Sequence, residues 1–253
     1  MRRLVGLSRT AVASLNRGRT HLPAGVLDCT VATNEHGAYC VPRSSRRRPA
    51  AQAILQARVY EPDTIDFLRG VDPASDIVHA GTFFGDFLPA LARSRSDGAI
   101  VWAFEPNLES YRCAQVTTLL NDLPNVVLTH AALGADAGTA VIVTSNRAGV
   151  PLGGGSHVIE DASSLGDGAS HERVRLASVD DTVAGDRRVG VIQLDVEGHE
   201  QPALAGAMRT IERCLPVIVL EAVPQSGWVA EHLAPLGYQV GGLVGGNRVL
   251  RCS

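Results

Sequence analysis

Short apolar segments alternate with segments of helical spacing from residue 76 to the end of the chain. This alternation predicts parallel β-α-β units with right-handed crossovers, and so an α/β fold. The predicted strands are 76–80, 99–104, 125–129, 173–179, 189–194 and 216–220, with helices at 87–93, 108–120, 203–213 and 227–236. Segments 238–243 and 248–252 flank a Gly-Gly-Asn turn, which predicts a hairpin that closes the sheet.

Two segments interrupt this alternation. Residues 139–144 alternate between apolar and polar, which is typical of an edge strand. Residues 145–170 are rich in Gly, Ser and Asp and predict a long loop. Such a loop is either a mobile surface segment or an acceptor-binding loop, because long loops inside compact domains are usually functional or disordered.

The first 58 residues differ from the rest of the chain in charge. They contain ten arginines and two acidic residues, whereas residues 59–253 contain 13 arginines and 24 acidic residues. We therefore predict a basic extension over 1–58, acting as a lid or brace, and a main domain over 59–253. The extension is either a solvated arm or a segment that covers an acidic catalytic face and steers an anionic acceptor.

Composition narrows the classes of protein to which the chain can belong. No apolar run approaches the roughly 20 residues that span a bilayer, and no secretory signal is legible, so we expect a cytoplasmic protein without membrane contact. The five cysteines are scattered without metal-type spacing, which favours free thiols in a reducing compartment. The basic extension lacks interleaved aromatic residues, so we expect no nucleic-acid partner. A homodimer that exchanges this arm is conceivable.

Ionisable residues collect where two predicted strands end. Asp195, Glu197 and His199 follow the strand at 189–194, and Glu221 follows the next strand along the chain. In open parallel sheets, ligands bind outside the carboxyl ends of the strands. These side chains are therefore placed for chemistry at one shared site.

A glycine turn follows the first parallel strand. Gly81 and Gly85 let the backbone approach a ligand closely, and Glu105 closes the second strand about 20 residues later. An acidic residue at that separation accepts hydrogen bonds from a ribose diol in nucleotide-binding folds. The turn and the acid together predict a nucleotide-type cofactor.

Four motifs in order resemble those of the FkbM-type family of S-adenosylmethionine-dependent methyltransferases over about residues 58–225. The motifs are Asp76-Ile-Val-His-Ala-Gly-Thr-Phe-Phe-Gly-Asp-Phe87, Ala103-Phe-Glu-Pro-Asn107, Asn125-Val with Ala131-Ala-Leu-Gly134, and Leu194-Asp-Val-Glu-Gly-His-Glu200. The resemblance implies a class I methyltransferase (Rossmann-like) fold, with a seven-stranded, mostly parallel sheet and helices on both faces. It also implies methyl transfer to a hydroxyl group, typically on a sugar or a polyketide-type product.

The resemblance further implies positions for the cofactor. Gly81, Thr82 and Gly85 would line its methionine end, Glu105 would hold the ribose, Ala131 and Ala132 would border the adenine, and Tyr60 and Glu61 would close over it. His79 stands where the family usually has Asp. Either His79 substitutes for that Asp structurally, or the carboxylate of the cofactor is held differently.

Transfer of a methyl group to an alcohol needs alignment of the acceptor and removal of its proton. His199 is a candidate base because an unperturbed histidine titrates near neutral pH, and Asp195 is its rival. Asp195 and Glu221 could instead bind Mg²⁺, a hard cation that lowers the pKa of a coordinated hydroxyl.

The acceptor is the least constrained part of the prediction. Aromatic residues form only 4% of the chain, which favours a saccharide or glycosylated natural product over a wide aromatic pocket for a polyketide-type hydroxyl. A dinucleotide-dependent oxidoreductase is disfavoured because the third glycine and a Tyr-x-x-x-Lys pair are missing. The alternative function that is not enzymatic is that of a partner protein, which binds the cofactor but catalyses no reaction.

Overall fold

The computed structural model describes residues 26–159 and 170–253. The first 25 residues of the predicted basic extension, and residues 160–169 of the predicted loop, lie outside the described part of the chain. Within the described ranges, no helix is both long and apolar enough to cross a membrane.

A seven-stranded sheet forms the centre of the molecule. From one edge to the other its strands are β12 (Tyr238–Val244), β13 (Asn247–Cys252), β11 (Val217–Leu220), β10 (Val189–Leu194), β3 (Asp76–Ala80), β4 (Val101–Phe104) and β5 (Val126–Thr129). Neighbouring strands from β11 to β5 pair in parallel, and β13 is antiparallel to both of its neighbours. The predicted α/β class and the closing hairpin are confirmed. Because β10 and β3 lie side by side, the acidic strand end and the glycine turn meet at the centre of the sheet.

Helices cover both faces of this sheet. They are α1 (Pro49–Leu55), α2 (Pro62–Gly70), α3 (Leu88–Arg93), α4 (Leu108–Leu120), α5 (Val179–Thr182), α6 (Glu200–Ala205), α7 (Met208–Cys214) and α8 (Ser226–His232). Alternate residues of one strand contribute to different cores: Ile77 packs with α2 and α3, whereas Val78 packs with α6 and α7. This alternation is the period-two pattern of a strand that is buried on both sides.

The predicted helix over 203–213 is wrong in one respect, because the chain forms two short helices there. A β-carbon at Gly206 would lie 2.0 Å from the carbonyl oxygen of Gly134, so the backbone passes too close for any side chain. The break between α6 and α7 falls at this contact. The non-local approach of two backbones therefore overrides the helical pattern of the local sequence.

A second sheet of four strands adjoins the first. Its order is β6 (Ala132–Leu133), β9 (His171–Ala177), β7 (Gly138–Val143) and β8 (His157–Ile159). The strand predicted at 139–144 is present as β7, but its predicted edge position is wrong, since β7 lies between β9 and β8. The predicted loop is also more ordered than expected: it contains a 3-10 turn at Gly153–Gly155 and the strand β8.

The described part of the N-terminal extension is a hairpin of β1 (Cys29–Asn34) and β2 (Gly37–Pro42), followed by α1. The hairpin is fastened to α4 because the side chain of Thr117 accepts a hydrogen bond from Cys40 N, at 3.0 Å. Asn121 accepts a second one from Ala38 N, also at 3.0 Å. Beneath the hairpin, Tyr39 packs in one core with Phe84 of the glycine turn. The extension thus supports the rear of that turn.

Candidate active site

The glycine turn follows β3 in a left-handed conformation. Gly81 has φ +82°, and a β-carbon there would lie 1.8 Å from the carbonyl oxygen of Asp195. Asp195 N in turn donates to Ala80 O at 3.1 Å. The turn after β3 and the acidic end of β10 are therefore in direct backbone contact, and only glycine fits at position 81.

Two residues of the predicted cofactor set lie behind this turn rather than on its open side. Thr82 is fully buried and its hydroxyl donates to His79 O at 3.2 Å. Gly85 has φ +84° and packs against Leu88 and Thr117. Both residues shape the turn, but neither lines a cavity beside it.

Two adjoining cavities open at the carboxyl ends of the strands. The larger has a volume of about 390 Å³ and the smaller about 30 Å³. Gly81, Gly154 and Asp195 line both. Side chains in the wall of the larger cavity include those of Arg48, Tyr60, Glu61, His79, Phe83, Asp86, Phe87, Gln193, Glu197 and Glu221. The smaller is bordered by Glu105, Ala131, Ala132 and His199, among others.

Glu105 lies at the end of β4, in the wall of the smaller cavity. Its carboxylate accepts hydrogen bonds from Phe83 N at 2.7 Å and from Asn107 N at 2.8 Å. The residue is 4% exposed, and this burial raises its pKa to about 8 despite both hydrogen bonds. Each carboxylate oxygen keeps a lone pair that can accept from a ligand hydroxyl.

Part of the predicted loop forms a wall of the smaller cavity. Ser156 and Val158 line it, and the amide of Asn107 contacts the Ser156 hydroxyl at 3.4 Å. The segment therefore covers the side on which Ala131 and Ala132 lie. The loop, which was predicted to bind the acceptor, therefore also lies beside the residues that are expected to border the cofactor.

Three carboxylates meet in the larger cavity. One oxygen from each of Asp195, Glu197 and Glu221 lies within 4.8 Å of the others. Burial raises the pKa of Asp195, and the neighbouring Glu221 carboxylate raises it further because two negative charges would otherwise lie together. Asp195 and Glu221, the predicted metal pair, do lie together, and Glu197, which the sequence placed at the same strand end, lies with them. Oxygen ligands at this separation suit a hard cation.

His199 lines the smaller cavity, with Glu105 and Ala131, and does not line the larger cavity that holds this carboxylate cluster. Glu200, the next residue, is buried and accepts hydrogen bonds from Val196 N and Gly198 N at 3.3 and 3.4 Å. Of the two predicted bases, Asp195 is the one that borders both cavities.

His79 and Gln193 form a buried polar pair on neighbouring strands. His79 Nδ1 is hydrogen-bonded to the Gln193 side-chain oxygen, and the imidazole stacks on Phe87 with 5.5 Å between ring centroids. Burial lowers the pKa of His79 to about 4, so the ring is neutral at pH 7. Its other nitrogen, Nε2, is buried and has no hydrogen-bond partner among the described residues.

Tyr60 and Glu61, which the resemblance implied would close over the cofactor, line the larger cavity. Glu61 has φ +45°, and its carboxylate accepts from Thr64 Oγ1 at 3.0 Å and Asn247 Nδ2 at 2.9 Å. Glu61 therefore joins the start of α2 to the β12–β13 hairpin at the cavity wall. Burial raises the pKa of Tyr60, which keeps its hydroxyl protonated.

Sequence reasoning passed over Gln193, Asp86 and Arg48, all of which line the larger cavity. A signal for Gln193 existed, because it is the one uncharged polar side chain inside the apolar run 189–194. Asp86 follows Gly85 directly and is buried, which raises its pKa to about 7. Arg48 belongs to an arginine run that resembles a solvated linker, so its position gave no signal.

A family model described as the methyltransferase FkbM domain matches residues 79–238, more than half of the chain. The chain belongs to this family. The resemblance read from the sequence motifs is thereby confirmed, and the chain carries an S-adenosylmethionine-dependent methyltransferase domain. A search of curated protein sequences found no match.

Several solved structures are similar in fold. A methyltransferase FkbM from Methylobacillus flagellatus KT is 16% identical, with a TM-score of 0.49, over 71% of this chain and 44% of that one. TYW2 from M. jannaschii, solved in complex with AdoMet, is 11% identical with a TM-score of 0.48, over 89% and 85%. A methyltransferase from Geobacter sulfurreducens is 14% identical with a TM-score of 0.44, over 82% and 86%. The chain thus spans less than half of the Methylobacillus protein.

The residues present fit S-adenosylmethionine. The Glu105 carboxylate can accept from the ribose diol at the end of β4, as in other nucleotide-binding sheets. Gly81 lines both cavities, and His79 lines the larger one. A nucleoside end on the side of Glu105 would donate to its carboxylate, and the amino-acid end would lie in the larger cavity.

Proposed function

We propose that this protein transfers a methyl group from S-adenosylmethionine to a hydroxyl of a saccharide or a glycosylated natural product. The observation that carries the proposal is the position of Asp195, which borders both the smaller cavity beside Glu105 and the larger, carboxylate-lined cavity. A side chain at that junction lies between a cofactor and an acceptor.

Different residues of the chain would bind the cofactor and accept the proton. Glu105 holds the ribose, and Ala131 and Ala132 border the adenine. S-adenosylmethionine supplies an electrophilic methyl on a sulfonium, so the acceptor oxygen gains a bond to carbon as the sulfur–carbon bond breaks. Asp195 in its ionised form would take the hydroxyl proton as that bond forms, and its raised pKa makes the ionised carboxylate a stronger base. His199 would border the nucleoside side.

The larger cavity favours a polyhydroxylated acceptor. Glu61, Glu197 and Glu221 offer carboxylate oxygens, and each can accept hydrogen bonds from sugar hydroxyls. The rings of Tyr60 and Phe83 in the same wall offer apolar faces against which a sugar ring can pack. This combination of acceptors and ring faces suits a saccharide better than an extended aromatic product.

The carboxylate cluster also fits Mg²⁺. Asp195, Glu197 and Glu221 would supply oxygen ligands, and the cavity leaves room for water and acceptor oxygens. A bound Mg²⁺ would lower the pKa of a coordinated hydroxyl and hold the acceptor in place.

Turnover assays with a panel of glycosides and aglycones test the proposal, with methylated product detected by mass spectrometry. We expect methylation of at least one glycoside, with loss of an unmethylated hydroxyl in fragment spectra. Tight binding of S-adenosylhomocysteine without turnover on any acceptor would instead support a partner protein without catalytic activity. Full activity in EDTA would exclude the role of Mg²⁺.

Two variants separate the candidate bases. Asp195→Asn should abolish turnover while it preserves binding of S-adenosylhomocysteine, because the amide cannot accept the proton. His199→Gln should weaken cofactor binding and leave appreciable turnover at saturating cofactor. The reverse pattern would transfer the role of base to His199.

A further inference from the structure

Arg48 places a positive charge in the wall of the larger, carboxylate-lined cavity. Its guanidinium nitrogens and a carboxylate oxygen of Glu197 each lie 3.5 Å from the place that a β-carbon of Gly155 would take. Arg48 nevertheless forms no ion pair with any carboxylate of the described ranges. Its charge is therefore available to an anionic ligand at this wall.

Close packing holds the segment that carries Arg48 against the predicted loop. Ser45 is buried, and its hydroxyl lies too close to Gly153 for any side chain at position 153. Arg48 Nη2 also donates to Pro151 O at 3.4 Å. The arginine segment and the 3-10 turn of the loop thus form one wall of the cavity.

A groove with further arginines adjoins the other side of this segment. Its volume is about 510 Å³. The residues that line it include Arg43, Arg46, Arg47 and Pro151. Because Arg48 contacts the carbonyl of Pro151, it lies between the larger cavity and this arginine-lined groove.

Positive charge exceeds negative charge in the arginine-lined groove. Asp28, one of its two acidic residues, pairs with Arg43 at 3.0 Å. The other, Glu109, accepts a hydrogen bond from a serine hydroxyl. Arg46 and Arg47 are exposed, and within the described part of the chain neither forms an ion pair. The excess of positive charge thus extends from the cavity wall into the groove.

We propose that the acceptor is a glycosyl diphosphate, whose sugar enters the larger cavity while Arg48, Arg46 and Arg47 bind its diphosphate. The proposal rests on the proposed function for the position of the sugar. The clustered carboxylates accept from sugar hydroxyls but repel phosphate, so the diphosphate lies on the arginine side. The guanidinium fork matches the oxygens of a phosphate and carries its charge at any physiological pH.

The spread of the arginines favours a diphosphate over other anionic groups. A diphosphate carries its charge on two successive groups, which suits arginines in both the cavity wall and the groove. The carboxylate of a uronic acid is attached to the sugar ring itself and would meet Arg48 alone. A glycosyl diphosphate can come from a nucleotide or from a lipid carrier, and both share this chemistry.

Titration calorimetry on the full chain, with S-adenosylhomocysteine present, tests the proposal. The ligands are methyl glucoside, glucuronic acid, uridine diphosphate glucose and citronellyl diphosphate glucose, with matched sets for galactose and mannose. The last two ligands distinguish a nucleotide carrier from a lipid carrier. A metal-free buffer prevents the diphosphate from binding through an ion on the carboxylates. Thermal unfolding confirms that each variant folds.

The wild type should bind at least one glycosyl diphosphate about tenfold or more tightly than the matched methyl glycoside. Arg48→Gln should lose about tenfold in affinity for that diphosphate, and less than about twofold for the methyl glycoside. Arg48→Lys should recover part of the loss, because it keeps the charge but not the fork. The control Arg112→Gln, at an exposed arginine that lines neither the cavity nor the groove, should bind like the wild type.

Three results would overturn the proposal. One is the absence of any preference for glycosyl diphosphates over methyl glycosides. Another is tighter binding of glucuronic acid than of either diphosphate. The third is an equal loss for neutral and charged ligands in Arg48→Gln, which would mean that Arg48 only supports the cavity wall.

Turnover separates a failure of this proposal from a failure of the proposed function. Arg48→Gln should raise KM for the glycosyl diphosphate by about tenfold and keep kcat within about threefold, because Arg48 would bind the diphosphate and not the reacting oxygen. Equal kcat/KM for neutral and diphosphate-linked sugars would overturn the proposal and leave the proposed function. Arg48-dependent binding of glycosyl diphosphates without methylation of any saccharide would keep the anion site and overturn the proposed function.

Discussion

The backbone of Gly81 touches that of Asp195: a β-carbon at position 81 would lie 1.8 Å from the Asp195 carbonyl oxygen. The two residues are more than 100 positions apart in the chain, yet their contact joins the cofactor turn to the acidic cluster. A side chain at position 81 would therefore displace the backbone at position 195.

Gly81→Ala should destabilise the protein by about 3 kcal/mol or more, since the methyl group adds a steric clash to the cost of a left-handed backbone. Gly98→Ala is a matched control, because Gly98 has φ +85° but no atom of the described residues lies within 4 Å of the place that its methyl group would take. Its cost should be about 1–2 kcal/mol. Urea unfolding measures both, and equal costs would contradict the backbone contact.

Affinity for S-adenosylhomocysteine should rise with pH up to about 8 and level off above it, because Glu105 has its pKa raised to about 8. Ribose hydroxyls donate to the carboxylate and so favour its ionised form, which means that binding below pH 8 releases a proton. Calorimetry in two buffers of different ionisation enthalpy counts that proton. In Glu105→Gln this proton release should be absent, and its persistence would assign the titration to another group.

The titration of Glu105 should also make the free energy of unfolding fall as pH rises. Glu105 has a higher pKa in the folded protein than in the unfolded chain, so the unfolded chain loses its proton first. Relative to Glu105→Gln, the free energy of unfolding of the wild type should decrease between about pH 5 and pH 8. Urea titrations at several pH values check this, and an unchanged difference would refute the shift.

Glu197 has φ +54°, a left-handed conformation that is costly for glutamate. Glu197→Asn and Glu197→Gln both remove the carboxylate, but asparagine tolerates this conformation better. The Asn variant should therefore be more stable than the Gln variant by about 0.5 kcal/mol.

Both Glu197 variants should also bind Mg²⁺ more weakly than the wild type, because each lacks one carboxylate of the cluster. Titration calorimetry measures this affinity, which should be unaltered in the control Glu212→Gln.

Asp76 lies at the opposite end of β3 from the candidate site. It is buried and accepts hydrogen bonds from Arg187 Nε at 2.7 Å, Trp102 Nε1 at 2.8 Å and Ile100 N at 2.9 Å. Asp76→Ala should cost about 3 kcal/mol, because it leaves buried partners uncompensated. Asp66→Ala, which breaks an exposed pair with Arg69, should cost less than about 0.5 kcal/mol. Similar costs would contradict this assignment.

The central sheet was predictable because its strands are short apolar runs that alternate with helix-forming segments. The strand Asp76–Ala80 and the helix Leu108–Leu120 agree with the sequence pattern residue for residue. The three-residue strand His157–Ile159 could not be foreseen, since its pairing with β7 is a long-range contact inside a polar segment. The helix break at Gly206 has the same origin.

The residues of the site that lie at strand ends could be predicted from the sequence. Asp195 and Glu221 end neighbouring parallel strands, so their proximity follows from topology. The inclusion of Glu197 depends on its left-handed φ, which directs the side chain in a way that sequence alone does not specify. The orphaned nitrogen of His79 depends on the pairing of β3 with β10, which places Gln193 beside it.

The support of the glycine turn by the β1–β2 hairpin has a consequence for protein engineering. The predicted boundary at residue 58 separates the hairpin from Phe84 and Cys113, with which Tyr39 shares a buried core. A fragment that starts at residue 59 would expose this apolar surface behind its own cofactor turn and would tend to aggregate. Chimeric and truncated variants should therefore retain the hairpin together with the catalytic domain.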